Sequence, residues 1–183
     1  MDDKLISAEY RALLAAKHAK KPWGGKGHTW VFQIAPLLNR LLPGDTVLDF
    51  GSGTGTFTRD MKPLRPDLEY FEYDPGVPGR DVLAALPTDF VVCTDVMEHV
   101  EEDKVDITLK TIDYIARKGV FFNIDLDIST SLLPDGRSTH ITVKPIDWWW
   151  EKLEANFRLM EWRVHPTKNT QFVVSGWRTW GVE

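Results

Sequence analysis

Apolar residues recur along the chain with two different periods, and the alternation of these periods predicts the fold. Short apolar runs bounded by Gly, Pro and Asp predict strands, whereas an apolar residue at every third or fourth position predicts an amphipathic helix. The predicted strands are 45–50, 69–73, 90–94, 119–125, 158–164 and 171–177, and the predicted helices are 7–20, 29–42, 102–117 and 147–157. Strands that alternate with helices favour an open, mostly parallel α/β sheet. The last two strands have no helix between them, so we expect them to pair antiparallel.

Local signals set the ends of these elements. Pro36 lies inside the second predicted helix and favours a kink or a later helix start, and Pro43-Gly44 ends it. Gly119 is the expected C-cap of helix 102–117. The stretch 75–87 is too short for a full helix plus a strand, so we expect one abbreviated strand there.

Composition is that of a soluble globular chain. The 183 residues are 43% apolar and 27% charged, which is sufficient for a hydrophobic core, and we expect a single domain over residues 1–183. No apolar run approaches the roughly 18 residues of a membrane span, and Met1-Asp2-Asp3-Lys4 lacks the profile of a secretion signal. Cys93 is the single cysteine, which excludes an intramolecular disulfide and makes a cytoplasmic location the expected one. The net charge of −5 weighs against a non-specific nucleic-acid binder.

A glycine-rich loop follows the first predicted strand. The segment 47–55 reads Val-Leu-Asp-Phe-Gly-Ser-Gly-Thr-Gly, with the spacing G-x-G-x-G rather than the dinucleotide pattern G-x-G-x-x-G. Glycine allows a positive φ and a close approach of a ligand to the backbone, and the following helix presents unpaired N–H groups. Asp74 ends the next strand, 19 positions after Gly55, and suits the hydroxyls of a ribose.

At these residues the chain resembles the class I S-adenosylmethionine-dependent methyltransferases. Segments 47–55, 73–75 and 89–100 carry the resemblance, and the last contains the run Asp-Val-Met-Glu-His, similar to a D-V-L-E-H run that follows the family's fourth strand. The resemblance covers about residues 45–125. It implies a Rossmann-like fold, methyl transfer as the activity, and S-adenosylmethionine bound over the carboxyl ends of the strands.

The resemblance also implies which residues contact the cofactor. By the resemblance, the methionine end of the cofactor contacts Asp49 and four loop residues, Gly51, Ser52, Gly53 and Gly55. The ribose falls to Asp74, and the methyl group lies near Asp95. Glu72 competes with Asp74 for the ribose, since its side chain also emerges near the strand end.

His99 is the expected catalytic base, together with Asp95 and His140 as the predicted catalytic residues. Methyl transfer needs a base only when the nucleophile must lose a proton. Glu98 and His99 follow the carboxyl end of a strand, where open α/β sheets bind their ligands. The alternative is that His99 caps the start of the next helix.

A divalent metal site is a further hypothesis. Asp95, Glu98 and His99 have i, i+3 and i+4 spacing, so one helical turn would gather them, and His140 follows a later strand. Two carboxylates and two imidazoles suit Mg²⁺, Mn²⁺ or Zn²⁺. The pattern resembles the small-RNA 2′-O-methyltransferases and the ubiquinone-pathway O-methyltransferases, with Asp95 where glutamate is usual. In the alternative, Glu98 and His140 simply bond to loop backbone.

The N-terminal region and one tryptophan complete the predicted site. In the family the N-terminal helices form a lid, so we expect residues 1–44 to be the lid and 45–183 the core. Trp23 and His28 are predicted to line this lid. Three consecutive helical residues point about 100° apart, so Trp148-Trp149-Trp150 cannot share one buried face, and Trp149 is the candidate substrate contact. Ordinary packing is the alternative for these tryptophans.

The predicted acceptor is a hydroxyl on a small-molecule or sugar-like compound. The compact size, the acidic charge and the candidate base His99 favour it. Two alternatives stay open. One is a metal-assisted RNA 2′-O-methyltransferase, for which nucleic acid is the partner, and the other is a module that binds the cofactor without turnover. No membrane partner is expected.

Overall fold

The computed structural model describes residues 5–20, 25–83, 87–158, 160–167 and 170–179, apart from the side chain of Lys26. The helices are α1 (Ala8–Lys20), α2 (Val31–Leu38), α3 (Thr56–Met61), α4 (Val105–Ile115) and α5 (Ile146–Asn156). The strands are β1 (Thr46–Phe50), β2 (Glu69–Tyr73), β3 (Thr88–Thr94), β4 (Ala116–Asp125), β5 (Met160–Val164) and β6 (Gln171–Arg178). Short 3-10 helices span Lys26–Trp30, Met97–His99 and Glu102–Lys104.

The strands of the described residues form one sheet in the order β2-β1-β3-β4-β6-β5. Strands β2, β1, β3 and β4 pair in parallel, and β6 pairs antiparallel with both β4 and β5. The predicted α/β sheet with an antiparallel ending is therefore confirmed. Residues 75–83 contain no strand, so the abbreviated strand expected there is not found among the described residues, and β2 is an edge of the sheet.

Helix 102–117 was predicted too long. Its α-helical part ends at Ile115, and strand β4 begins at Ala116, where register with Thr88 of β3 takes over. Gly119 is a strand residue and not a helix cap. A Cβ at this position would lie 2.8 Å from the carbonyl oxygen of Gly176, so glycine permits a close approach between β4 and β6.

The second predicted helix begins later and ends earlier than residues 29–42. A 3-10 helix precedes α2, which starts at Val31 and ends at Leu38. The guanidinium of Arg65 donates to the carbonyl oxygens of Leu38 and Leu41. These carbonyls therefore have partners other than the N–H groups of a continuing helix.

Two hydrophobic cores lie on opposite faces of the sheet. Neighbouring strand residues point to opposite faces, so Val47 packs with α2 and α3, and Leu48 packs with α4 and α5. Both faces of the parallel strands are covered, which leaves their carboxyl ends as the place for a crevice. The order reverses at β1, which has β2 on one side and β3 on the other.

None of the described helices combines the length and the apolar character that crossing a lipid bilayer requires.

Candidate active site

A cavity of about 780 Å³ lies at the carboxyl ends of β1, β2, β3 and β4. Its walls come from the glycine loop, the residues that follow β2 and β3, the loop 129–140 after β4, and helix α1. The cavity therefore lies at the switch point of the sheet, and some of the residues predicted for the site line it.

Gly51 forms the tightest part of the glycine loop. Its φ is 80°, and a Cβ at this position would lie 2.2 Å from Cγ2 of Val96. The backbone N–H groups of Gly51 and Ser52 both donate to the carbonyl oxygen of Tyr73, over 2.7 and 3.0 Å, which ties the loop to the end of β2. Gly51 and Ser52, two of the predicted cofactor contacts, line the cavity.

Gly53 and Gly55 do not line this cavity. Gly53 donates its N–H to Oδ2 of Asp74 over 2.8 Å. Gly55 has a φ of 73° and precedes α3, and a Cβ there would lie 2.6 Å from Oε1 of Glu72. These two glycines shape the turn, whereas the first part of the loop meets the ligand space.

Asp74 is the acid at the end of β2 that faces the cavity. Its side chain is buried, and its two oxygens accept the N–H groups of Gly53 and Gly76 over 2.8 and 2.9 Å. A carboxylate has about four lone-pair sites, so it retains capacity for hydroxyl donors. Glu72 instead pairs with Arg80 at 2.9 Å and does not line the cavity. The geometry therefore favours Asp74 over Glu72 as the ribose acid.

Asp49 lines the cavity at the end of β1, and only 4% of its surface is exposed. Burial, followed by the nearby carboxylates of Glu72 and Asp74, raises the pKa of Asp49 to about 8. A cation placed in the cavity would stabilise the ionised form of Asp49 and so oppose the rise in its pKa.

The chain turns at Asp95 where it leaves β3, and the side chain of Asp95 bonds to two other segments. Its φ of 55° is the left-handed conformation that Asp tolerates better than most side chains. Its carboxylate accepts the indole N–H of Trp30 over 3.1 Å and the amide N–H of Asn123 over 2.7 Å. Asp95 therefore joins the N-terminal segment to the ends of β3 and β4, while it also lines the cavity.

Glu98, His99 and His140 come together, and the ligand atoms of these residues lie within 4.8 Å of one another. The two imidazole rings have centroids 4.8 Å apart. Nδ1 of His99 donates to the carbonyl oxygen of Thr139 over 2.5 Å, and Nδ1 of His140 donates to that of Asp127 over 2.6 Å. A carbonyl only accepts, so each ring carries a proton on Nδ1.

Glu98 is fully buried, and its carboxylate oxygens accept no hydrogen bond of normal geometry from the described residues. Burial and the charge of Asp95 raise the pKa of Glu98 well above its usual range, which the backbone N–H groups of Glu98 and Asp125 partly oppose. Asp95, predicted as a fourth metal ligand, stands outside this three-residue cluster.

Helix α1 forms one wall of the cavity, and residues 1–44, to which it belongs, remain a predicted lid. Tyr10, Leu14, Lys17 and His18 line the ligand space from this helix. The ammonium of Lys17 donates to Oγ of Ser131 and to the carbonyl oxygen of Leu132, over 2.6 Å each. At the other end of α1, the N–H and the hydroxyl of Ser7 both donate to Glu101 over 2.7 Å.

Residues 28–172 match a family model described as a methyltransferase domain. The chain belongs to this family. It is an S-adenosylmethionine-dependent methyltransferase, as predicted, and no curated protein is significantly similar to it in sequence.

Several solved structures share the fold of this methyltransferase. Magnesium protoporphyrin IX methyltransferase from Synechocystis PCC 6803, with bound S-adenosylmethionine, is 15% identical with a TM-score of 0.59, and the match covers 83% of this chain and 79% of that one. Mitomycin 7-O-methyltransferase MmcR is 14% identical with a TM-score of 0.59 over 83% of this chain and 54% of that one. DhpI, with S-adenosylhomocysteine, is 19% identical with a TM-score of 0.51 over 96% of both chains. These likenesses confirm the predicted Rossmann-like methyltransferase fold.

Two of the predicted lid and substrate residues do not line the methyltransferase cavity. Trp149 is fully buried in the core on the α4 and α5 side of the sheet, so it is unavailable to a substrate. Its position on the inward face of α5 explains this, because a helix that packs on a sheet must bury one side. His28 is exposed and bonds to the carbonyl oxygen of Gly25 over 2.8 Å. Trp23 lies outside the described residues.

The residues that α1 contributes to the methyltransferase site were not predicted from the sequence. Lys17 and His18 both face the ligand space. Asn123 was missed too, and it is fully buried while its amide donates to Asp95. A polar residue inside the apolar run 119–125 was the one local signal that could have singled it out.

Proposed function

We propose that this methyltransferase transfers the methyl group of S-adenosylmethionine to a hydroxyl of a small, polar acceptor. The acceptor would lie between α1, the 3-10 helix Met97–His99 and the loop 129–140. The observation that carries the proposal is an imidazole at the cavity wall, His99, whose tautomer is set by a backbone carbonyl. Such a group suits the removal of a proton from a hydroxyl.

The cofactor is proposed to lie along the ends of β1 and β2. Its methionine part would lie beside Asp49, Gly51 and Ser52, with the ammonium facing Asp49. The ribose hydroxyls would donate to Asp74. This orientation directs the sulfonium toward Asp95 and the acceptor toward His99, since these residues follow the neighbouring strand β3.

His99 would act as the general base. Because Nδ1–H donates to Thr139, the lone pair on Nε2 takes the hydroxyl proton as the acceptor oxygen attacks the methyl carbon. The bond between carbon and sulfur breaks, its electron pair stays on sulfur, and S-adenosylhomocysteine leaves with the methylated acceptor. The protein contributes orientation and exclusion of water, because the sulfonium is already activated.

The lining of the acceptor end supports a hydroxylated compound. Half of the residues that line the cavity from the loop 129–140 carry hydroxyl groups, namely Ser129, Thr130, Ser131 and Thr139. Side chains of this kind both donate and accept hydrogen bonds. The structural neighbours named for magnesium protoporphyrin IX and mitomycin are named for small-molecule acceptors as well.

The test has a binding step and a turnover step. Calorimetry with S-adenosylhomocysteine should detect binding to the wild type, and Asp74→Ala should weaken it at least tenfold. Transfer of a labelled methyl group to a panel of sugars and hydroxy acids should then give a product. His99→Gln should lower that turnover by about 100-fold or more, the usual share of a general base, and leave the affinity for S-adenosylhomocysteine unchanged. His165→Gln is the matched control, since His165 does not line the cavity.

Full turnover in His99→Gln would show that His99 is not the general base. Binding of the cofactor product without transfer to any hydroxyl compound or oligoribonucleotide would instead favour a module without turnover.

The cluster of Glu98, His99 and His140 favours metal-assisted methyl transfer as a second candidate. Two ligands of one ion, each about 2 Å from it, lie no more than about 4 Å apart, so a small side-chain rotation would close the observed 4.8 Å. The donor set fits, because backbone carbonyls orient both imidazoles and the Glu98 oxygens accept no hydrogen bond of normal geometry from the described residues. When bound, a divalent ion would polarise the acceptor oxygen. Glu98, His99 and His140 would hold it, and an RNA 2′-hydroxyl would be one acceptor of this type.

Calorimetry with Mn²⁺ and with Zn²⁺ tests this candidate without any acceptor. Glu98→Gln should weaken binding of the ion at least tenfold, whereas Glu102→Gln, which changes a solvent-exposed residue, should leave it unchanged. No heat with the wild type at millimolar ion would eliminate the metal-assisted route and leave His99 as the base.

A further inference from the structure

Helix α1 brings a histidine to the acid that is proposed to hold the ribose. Nε2 of His18 lies 4.0 Å from Oδ1 of Asp74, and the two side chains are only 11% and 10% exposed. His18 also lines the cavity. A Cβ on Gly76 would lie 3.1 Å from the His18 ring, so glycine at position 76 leaves room for the imidazole next to the acid.

The separation of these two groups has a chemical meaning. At 4.0 Å the nitrogen and the oxygen are too far apart for a direct hydrogen bond. One oxygen atom placed beside both can still be about 2.8 Å from each of them. A ribose hydroxyl fits this position, because it donates its proton to the carboxylate and accepts a hydrogen bond from the imidazole.

We infer that His18 and Asp74 bind the cofactor's ribose as a pair, with His18 as the contact that the lid supplies. The inference rests on the proposed placement of the cofactor and assigns it a further binding residue. Burial, together with the charge of Lys17 and against that of Asp74, lowers the pKa of His18. A neutral imidazole still offers the single N–H that the ribose oxygen needs.

This contact also explains how the lid would respond to the cofactor. The residue before His18 is Lys17, which bonds to Ser131 and Leu132 in the loop that forms the acceptor end. One helix therefore touches the ribose acid and the acceptor loop through consecutive residues. Cofactor binding through His18 would hold α1 closed over the acceptor pocket, which predicts that the cofactor binds first.

Two ligands distinguish a ribose contact from simple packing. The first is S-adenosylhomocysteine, and the second is an analogue whose ribose lacks both hydroxyl groups. His18→Ala should weaken binding of S-adenosylhomocysteine by about tenfold, the fold-change of one hydrogen bond. The same change should weaken binding of the analogue by less than about twofold, because the analogue has no hydroxyl to bond with His18. His18→Gln retains a donor and should restore most of the affinity, while His165→Ala should change neither ligand.

Amide hydrogen exchange supplies a second measurement. S-adenosylhomocysteine should slow exchange across α1 in the wild type, and this protection should be reduced in His18→Ala. Equal losses of both ligands in His18→Ala, or unchanged affinity for the first, would overturn the inference while leaving the cofactor site in place. If the wild type bound no S-adenosylhomocysteine, the proposed function would fail as well.

Discussion

Single residues of the glycine loop carry two constraints at once. At Gly51 the backbone has a positive φ, and the space where a side chain would begin is filled by Val96. At Gly44 the φ is also positive, at 86°, but nothing lies within 4 Å of the missing Cβ. Comparing Gly51 with Gly44 therefore separates the cost of backbone strain from the cost of steric overlap.

Gly51→Ala should therefore cost much more stability than Gly44→Ala. We expect a loss of about 3 kcal/mol or more in the free energy of unfolding for Gly51→Ala, from strain plus overlap, and about 1 kcal/mol for Gly44→Ala, from strain alone. Urea denaturation measures both. Equal losses would show that Val96 moves aside freely, contrary to this account.

Asp49 predicts a dependence of stability on pH. The folded protein keeps the Asp49 proton up to a pKa of about 8, whereas the unfolded chain releases it near the ordinary value of 3.8. Since the folded state binds the extra proton between these values, stability falls as pH rises through this window, by at most about 1.4 kcal/mol per pH unit.

Urea denaturation at pH 6 and pH 8 checks this sign. The wild type should be less stable at pH 8, and Asp49→Asn should reduce the difference, because an amide does not titrate. Part of the difference in stability should persist in Asp49→Asn, because the pKa of Glu98 is raised as well. An undiminished difference in Asp49→Asn would assign the effect to other groups.

At the scale of elements, the lid helix is held by contacts to distant parts of the chain. Lys17 joins α1 to Ser131 and Leu132, and Ser7 joins its start to Glu101. These partners are separated by about a hundred residues, so no local pattern could predict them. The position of α1 depends on a few polar contacts and one small apolar cluster, which includes Tyr10, Leu14 and Leu133.

Lys17→Met should therefore loosen α1 without unfolding the sheet. We expect faster amide hydrogen exchange in residues 8–20 and unchanged exchange in β1, β3 and β4, because local opening costs less than global unfolding. Lys20→Met, on the exposed end of the same helix, is the control. Faster exchange in the sheet as well would contradict a local role for Lys17.

Element boundaries show where local signals fail. Strand β2 spans Glu69–Tyr73 as predicted, because its ends coincide with local turn signals. The end of α4 was displaced by two residues, because Ala116 pairs with Thr88 in the sheet. Tertiary pairing overrode helix propensity there.

At the scale of the whole molecule, the cavity is completed by elements that lie far apart in the sequence, from helix α1 to the loop 129–140. S-adenosylhomocysteine at about 100 times its Kd should stabilise the folded state by about 2.7 kcal/mol. For a chain of this size that corresponds to a rise in Tm of roughly 5–10 °C. A thermal shift assay with Asp74→Ala as the control measures it, and an equal rise in that variant would place the ligand elsewhere.

The sequence by itself determined the alternating elements, the glycine loop after β1 and the acids that follow the strands. Each depends on residues within a few positions of one another, and a strand–loop–helix unit places its own loop at the end of its own strand. Only the tertiary structure decided that His99 meets His140, that His18 reaches Asp74, and that Trp149 is buried in the core. These outcomes depend on how helices pack against the sheet, and packing joins residues whose distance in space is independent of their distance along the chain.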